Sequence, residues 1–240
     1  MPEGPTLVVF QKRMQKFKGR KVTESGGYNN PFAEDISGKI LKDIETYGKY
    51  LLLDFNHFII TVHFGLFGSF LIDDTKKVNA SFSLFFDKNF INFYVVKIKK
   101  LDNRDSFDQQ LNVFSEKYEL EKTHQLLLEK YSENKIGDVL LNQDVFPGLG
   151  NILRNEVLFL SKIHPESTVN KIPAKKVDEL LRNIKDFSSA SVELIEQKIW
   201  KSSSSVYKKK EWKKEKVLEY VAPKIKRKTY VVEKVQKVYQ

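Results

Sequence analysis

Cysteine is absent from this 240-residue chain, which removes disulfides, thiol nucleophiles and thiolate metal sites together. Histidine is scarce: His57, His63, His124 and His164 are the only four, and their spacing does not resemble a ligand set, so no metal is expected. No apolar run is long enough to span a bilayer, and the N-terminus carries no signal-peptide pattern. A soluble, cytoplasmic protein without a membrane partner is the expectation. Acidic residues are also in short supply, 31 against 41 lysines and arginines, for a formal charge of +10. A polyanionic partner fits that balance.

The excess is concentrated. From Lys201 to Gln240 there are thirteen lysines and arginines against four glutamates, so nearly the whole imbalance sits in the last forty residues. Tyr207, Trp212, Tyr220 and Tyr230 interleave with the cations. A disordered tail would lack such aromatics, whereas a nucleic-acid-binding arm uses them.

Met1-Pro2-Glu3-Gly4-Pro5 is the stretch with the most chemistry. Removal of Met1, which the small Pro2 permits, leaves a secondary amine beside a carboxylate. An α-amino group has an ordinary pKa near ~8, so a useful fraction is unprotonated at neutral pH. Such an amine can attack a sugar C1′ and condense to an iminium while Glu3 shuttles protons. Behind it, Leu7, Phe10, Met14 and Phe17 recur at helical spacing, with Gly19 as the stop signal. An amphipathic helix that fixes the terminus to a core is predicted.

Between Lys21 and Lys100 the pattern changes to short β-rich runs, at 40–45, 50–55, 58–63, 69–72, 81–86 and 90–96, joined by turn residues such as Asn56-His57 and Asp87-Lys88-Asn89. Several strands in series predict a sandwich or flattened barrel. Residues 101–118 are polar and weakly periodic and read as a linker. Helical periodicity follows at 120–131, 136–141, 151–160, 173–187 and 189–200, with Pro173 at a first turn and Ser188 capping the last helix. Between the second and third of these, Gly148-Leu149-Gly150-Asn151 lets the backbone approach a phosphate at a helix N-terminus. In 63–69, Leu66 and Phe67 stand between glycines; large apolar side chains there either close a core or act as a wedge.

Four motifs fall in order: Met1-Pro2-Glu3-Gly4-Pro5, Tyr47-Gly48-Lys49-Tyr50-Leu51-Leu52, His63-Phe64-Gly65, and Gly148-Leu149-Gly150-Asn151-Ile152 with Asn155-Glu156. Together they resemble the formamidopyrimidine-DNA glycosylase and endonuclease VIII family, over residues 1 to about 200 and again at the C-terminus. The resemblance implies an α+β protein: an N-terminal catalytic β-sandwich domain with a flanking helix (1–115), a helix-two-turn-helix DNA-binding domain (116–200), and a basic finger-like hairpin (201–240). It implies a monomeric glycosylase and abasic-site lyase acting on damaged DNA, duplex or single-stranded, without a cofactor. Pro2, Glu3, Lys49 and Arg227 would be catalytic. Leu66 and Phe67 would fill the space of a flipped base, and Asn151, Glu156, Lys97 and Lys99 would serve DNA binding.

Departures are equally informative. Thr6 stands where the family usually has Glu, and Lys97-Ile98-Lys99 replaces an Asp-Pro-Arg-Arg-Phe run that probes the base opposite the lesion. At the C-terminus, 227–236 keeps the frame of Arg-x-Thr followed by a cysteine pair, but Val232 and Val235 occupy the cysteine positions. The family's zinc is therefore not expected, and Tyr230, Val232 and Val235 would pack in its place. Two alternatives remain open on sequence: a non-catalytic damage-recognition protein of the same fold, and a general basic DNA-binding protein.

Overall fold

The computed structural model describes residues 2–240 and divides into two compact units, at 1–107 and 108–240. In the first unit, helix α1 (Gly4–Met14) precedes two antiparallel sheets. One has the order β2 (Asp43–Tyr47), β3 (Tyr50–Asp54), β4 (Ile59–His63), β8 (Lys97–Leu101); the other has β1 (Glu24–Gly26), β6 (Phe82–Phe86), β7 (Asn89–Tyr94), β5 (Ser69–Ile72), with a single turn of helix, α2 (Ala33–Ile36), after β1. The sheets form a sandwich. Leu51, Leu53, Ile60 and Val62 from one meet Phe82, Leu84, Ile91 and Phe93 from the other, and α1 adds Leu7 and Met14. Full burial of each such side chain contributes roughly 1.5–3 kcal/mol relative to exposure.

Two strands, β1 and β8, fall outside the runs read from sequence. The β8 strand carries Lys97, Lys99 and Lys100 and turns only Ile98 toward the core, so it has little of the apolar alternation that marks a strand. It is recruited by pairing: Val62 lies opposite Ile98 and Thr61 opposite Lys99. Nor is 101–118 a free linker. Arg104 reaches Glu45 at 2.8 Å and Asp54 at 2.5 Å, and the Phe107 ring lies 5.0 Å from that of Tyr47, fastening 101–107 to the sandwich. Leu111, Val113 and Tyr118 are buried in turn.

The second unit contains α3 (Leu120–Tyr131), α4 (Ile136–Val139), α5 (Asn151–Leu160) and α6 (Ala174–Glu196), followed by two hairpins, β9–β10 (Glu211–Trp212, Glu215–Lys216) and β11–β12 (Leu218–Ala222, Arg227–Val231). Lys213 and Lys214 make the first hairpin turn, both left-handed at φ 46° and 70°, where asparagine and glycine are usual. Residues 120–131 and 151–160 are helical over the expected spans.

The expected break at Ser188 does not exist: α6 is one helix of 23 residues. Its seam of Val177, Leu180, Leu181, Ile184, Ser188, Ser191 and Val192 keeps helical spacing straight through. Ser189 and Ser191 donate their hydroxyls to the carbonyls of Lys185 and Phe187 at 3.0 and 2.7 Å, so they bond back along the helix instead of capping a new one. Ser188 Oγ is buried without a hydrogen-bond partner among the described residues. Ser188→Ala is expected to stabilise the unit by about 1 kcal/mol, read as a higher denaturant midpoint at unchanged m-value.

Candidate functional site

The N-terminal candidates are set by α1. Glu3 is its N-cap, with extended backbone, and its carbonyl accepts the amide hydrogens of Thr6 and Leu7 at 2.9 and 3.3 Å. Pro5 sits in the first turn, where its missing N–H costs nothing. Gln11 of α1 and Gln15, its C-cap, each donate from Nε2 to the carbonyl of Ile44 at 2.9 Å, tying the helix to β2. Glu3 is 3% exposed, and Pro2, just before it, is half-buried. Met1 lies outside the described residues, and so does its expected removal.

Strand β2 turns into β3 through Gly48 and Lys49, since Tyr47 and Tyr50 are register partners. Tyr50, His63 and Lys97 then lie side by side across β3, β4 and β8. Sequence reading quoted His63 only as part of a motif, but the structure places it between cations. Burial first, then the charges of Lys49 and Lys97, lower its pKa below the ordinary histidine value. A neutral imidazole therefore sits in a positive field at neutral pH. Lys97 and the adjacent candidate Lys99 are exposed, and one face of the strand holds both.

The loop after His63 settles whether its apolar residues are core. Phe64 is: it is 1% exposed and packs edge-on against Phe10 at 5.0 Å. Leu66 and Phe67 are not, at 57% and 80% exposed. The turn beneath them closes tightly, with Gly68 N donating to the Phe64 carbonyl at 2.7 Å. A Cβ on Gly68 would come within 2.1 Å of that same oxygen, so glycine is required to lift the pair outward.

In the second unit the candidates gather around α5 and the last hairpin. Arg227 is exposed and pairs with Ala222 at the hairpin's tip end. Asn151 opens α5 and donates from Nδ2 to the Lys228 carbonyl at 2.8 Å. Asn155 Oδ1 accepts from Tyr230 N at 2.8 Å. Glu156, grouped with the DNA-binding residues on sequence, is 1% exposed. Its carboxylate accepts the backbone hydrogens of Ser205, Val206 and Tyr207 at 2.7, 3.0 and 2.8 Å. It thus anchors the segment that leads into the hairpins and offers no surface to a ligand.

A zinc ion does not fit this finger, because Val232 and Val235 have no donor atoms. Instead, Val206, Val217, Tyr230 and Val232 bury themselves with Phe159 of α5, and Trp212 and Val235 pack on the edge. The Phe159 and Trp212 rings meet edge-to-face at 5.0 Å, and Lys234 reaches Glu215 at 2.9 Å. No helix among the described residues is long and apolar enough to cross a membrane.

Comparison with known proteins bears on the family and the fold. Residues 1–99 match the formamidopyrimidine-DNA glycosylase N-terminal domain and residues 111–203 the formamidopyrimidine-DNA glycosylase H2TH domain. Endonuclease 8-like 3 of Mus musculus is 29% identical over 163 residues, 64% of this chain and 27% of that protein. Its Homo sapiens counterpart is 27% identical over 202 residues, 77% of this chain and 33% of that protein. The match thus spans about a third or less of these relatives' length. Among solved structures, the Lactococcus lactis formamidopyrimidine DNA glycosylase superposes with a TM-score of 0.85 at 19% identity, covering 98% of this chain and 99% of that one. A viral DNA glycosylase gives 0.81 at 20% identity, covering 98% and 100%. Two domain matches in the family's order, with the family's fold along the whole chain, lead to one conclusion: the chain belongs to the formamidopyrimidine-DNA glycosylase and endonuclease VIII family.

Proposed function

We propose that the chain is a base-excision repair enzyme, a DNA glycosylase with abasic-site lyase activity that removes oxidised bases. The observation that carries this reading is Glu3 capping α1 next to Pro2, in the same unit as the cations Lys49 and Lys97 that surround a neutral His63. Once Met1 is removed, the Pro2 nitrogen attacks C1′ of the damaged nucleotide. The C1′–N bond to the enzyme forms as the bond to the base breaks, and the base leaves with its electron pair and takes a proton. Glu3 takes the proton that the attacking amine sheds and delivers it to the ring oxygen as the C1′–O4′ bond breaks and the sugar opens to an iminium. Loss of a C2′ proton then expels the 3′ phosphate, Lys49 steadies the departing charge, and water releases the enzyme.

DNA is held by phosphate contacts from Lys97, Lys99, Asn151 and Arg227, so affinity falls as salt rises. Unstacking the target nucleotide costs a few kcal/mol, and Leu66 and Phe67, exposed next to a rigid turn, offset it by entering the vacancy. Further support comes from a protein of the same fold, the Lactococcus lactis enzyme, whose structure was solved on DNA containing an abasic site.

Borohydride trapping on abasic-site duplex tests the reading. Wild type is expected to become covalently attached to the DNA and Pro2→Gly much less so. Failure to trap, with selective binding of abasic DNA, leaves a damage-recognition protein. Equal affinity for intact and abasic duplex leaves a general DNA-binding protein.

A further inference from the structure

Arg154 is fully buried, at 0% exposed, and its partners are neutral oxygens. Its Nε donates to the Gly137 carbonyl at 2.5 Å, Nη1 to Asn151 Oδ1 at 3.2 Å, and Nη1 and Nη2 both to Thr229 Oγ1 at 3.1 Å. Burial pulls the guanidinium down to about 10, while Tyr220, Asp138 and Glu166 nearby favour its charge; it stays cationic at neutral pH. Desolvating a cation for such partners is costly, and an apolar side chain of equal volume would avoid that cost.

What the arginine gains is a junction of three elements. Gly137 belongs to α4, Asn151 opens α5, and Thr229 lies on β12 two residues beyond Arg227, on the same face of the strand. A guanidinium only donates, so its bond to Asn151 fixes the amide with its oxygen toward Arg154 and its nitrogen toward the Lys228 carbonyl. Room for the guanidinium is itself specified. A Cβ at residue 137 would stand 3.0 Å from Arg154 Nη2 and 2.7 Å from Pro165 Cβ, so a side chain there would press on both.

We propose that Arg154 is a positioning residue for phosphate recognition: through Asn151 and Thr229 it sets the helix-terminal amide and the finger's Arg227 in one geometry. This rests on the reading of Asn151 and Arg227 as phosphate ligands. A double-mutant cycle tests it. Arg154→Ala, with the wild-type circular dichroism spectrum and a cooperative melt, is expected to cleave abasic duplex about a hundredfold more slowly. The loss should fall more on kcat than on KM, the split expected when the phosphate ligands still reach the DNA but in the wrong geometry. In an Arg227→Ala background the same substitution should add little, because the group it positions is gone. Arg154→Lys, which keeps the charge but cannot bridge both partners, should fall between.

A folded Arg154→Ala enzyme as fast as wild type, or penalties that multiply with Arg227→Ala, would overturn the proposal. If Arg154→Ala does not fold, Thr229→Val leaves the arginine in place, removes the bridge, and is read in the same cycle. If wild-type protein cleaves nothing, the lyase reading fails on its own; the cycle is then run on the Kd for abasic duplex, where multiplying penalties again overturn the positioning role.

Discussion

Replacing Glu3 with glutamine is expected to slow excision of a damaged base by about 10²- to 10⁴-fold, the range lost when a positioned proton donor is removed. Borohydride trapping on a pre-formed abasic site should survive far better. The two substrates differ in where protons must go. A damaged nucleotide still has a closed sugar and an attached base, so the attack of Pro2 must be matched by proton delivery to the ring oxygen or the base. An abasic sugar opens to an aldehyde unaided, and its condensation with an amine needs less help. Glutamine keeps the shape of Glu3 at the head of α1, where the backbone carbonyl accepts from Thr6 and Leu7, so the fold should not change. Comparing single-turnover excision with trapping yield checks this. Equal loss in both would mean that Glu3 places the terminus and carries no proton.

The largest stability effect is expected at Glu156. Its carboxylate accepts three consecutive backbone N–H groups, from Ser205, Val206 and Tyr207, and Val206 is fully buried. Glu156→Ala orphans all three donors and leaves a cavity between α5 and residues 205–207, costing about 3–5 kcal/mol. Because the lost bonds lie at the root of the hairpins, the finger should come loose first. Limited proteolysis should show new cuts near 201–210 before the helices melt. Glu156→Gln, which turns one acceptor into a donor facing N–H groups, should fall between wild type and alanine. A Glu156→Ala protein as protease-resistant as wild type would mean that the apolar cluster around Val206 and Tyr230 holds the finger unaided.

Much of this architecture could be read from residues in order. Helices 120–131 and 151–160 were legible because an apolar stripe and, for the second, a preceding Gly-x-Gly mark them. Strands with strong alternation were legible to within a few residues. What could not be read depends on partners far apart in the chain. Strand β8 has lysines where a strand usually shows apolar residues, and only its pairing with β4 makes it one. Ser188 resembles a cap until the seam on either side of it is seen to be continuous. Glu156 resembles a site residue because it follows Asn151-Ile152, yet its ligands are backbone atoms some fifty residues later. Nothing in the spacing of Gly137, Arg154 and Thr229 announces that they meet. His63 and Lys97 become neighbours only when the register of β4 and β8 is known.

The packing of the finger carries one more consequence. Oxidants that damage bases also attack thiolates, and a zinc knuckle held by cysteines is among their targets. Here the equivalent hold is exerted by valine, tyrosine and tryptophan side chains resting on Phe159. A grip made of carbon cannot be unfastened by peroxide or by a competing chelator. Its strength varies with temperature and core volume instead, so this arm would keep its shape under the very conditions that create the lesions proposed as its substrates.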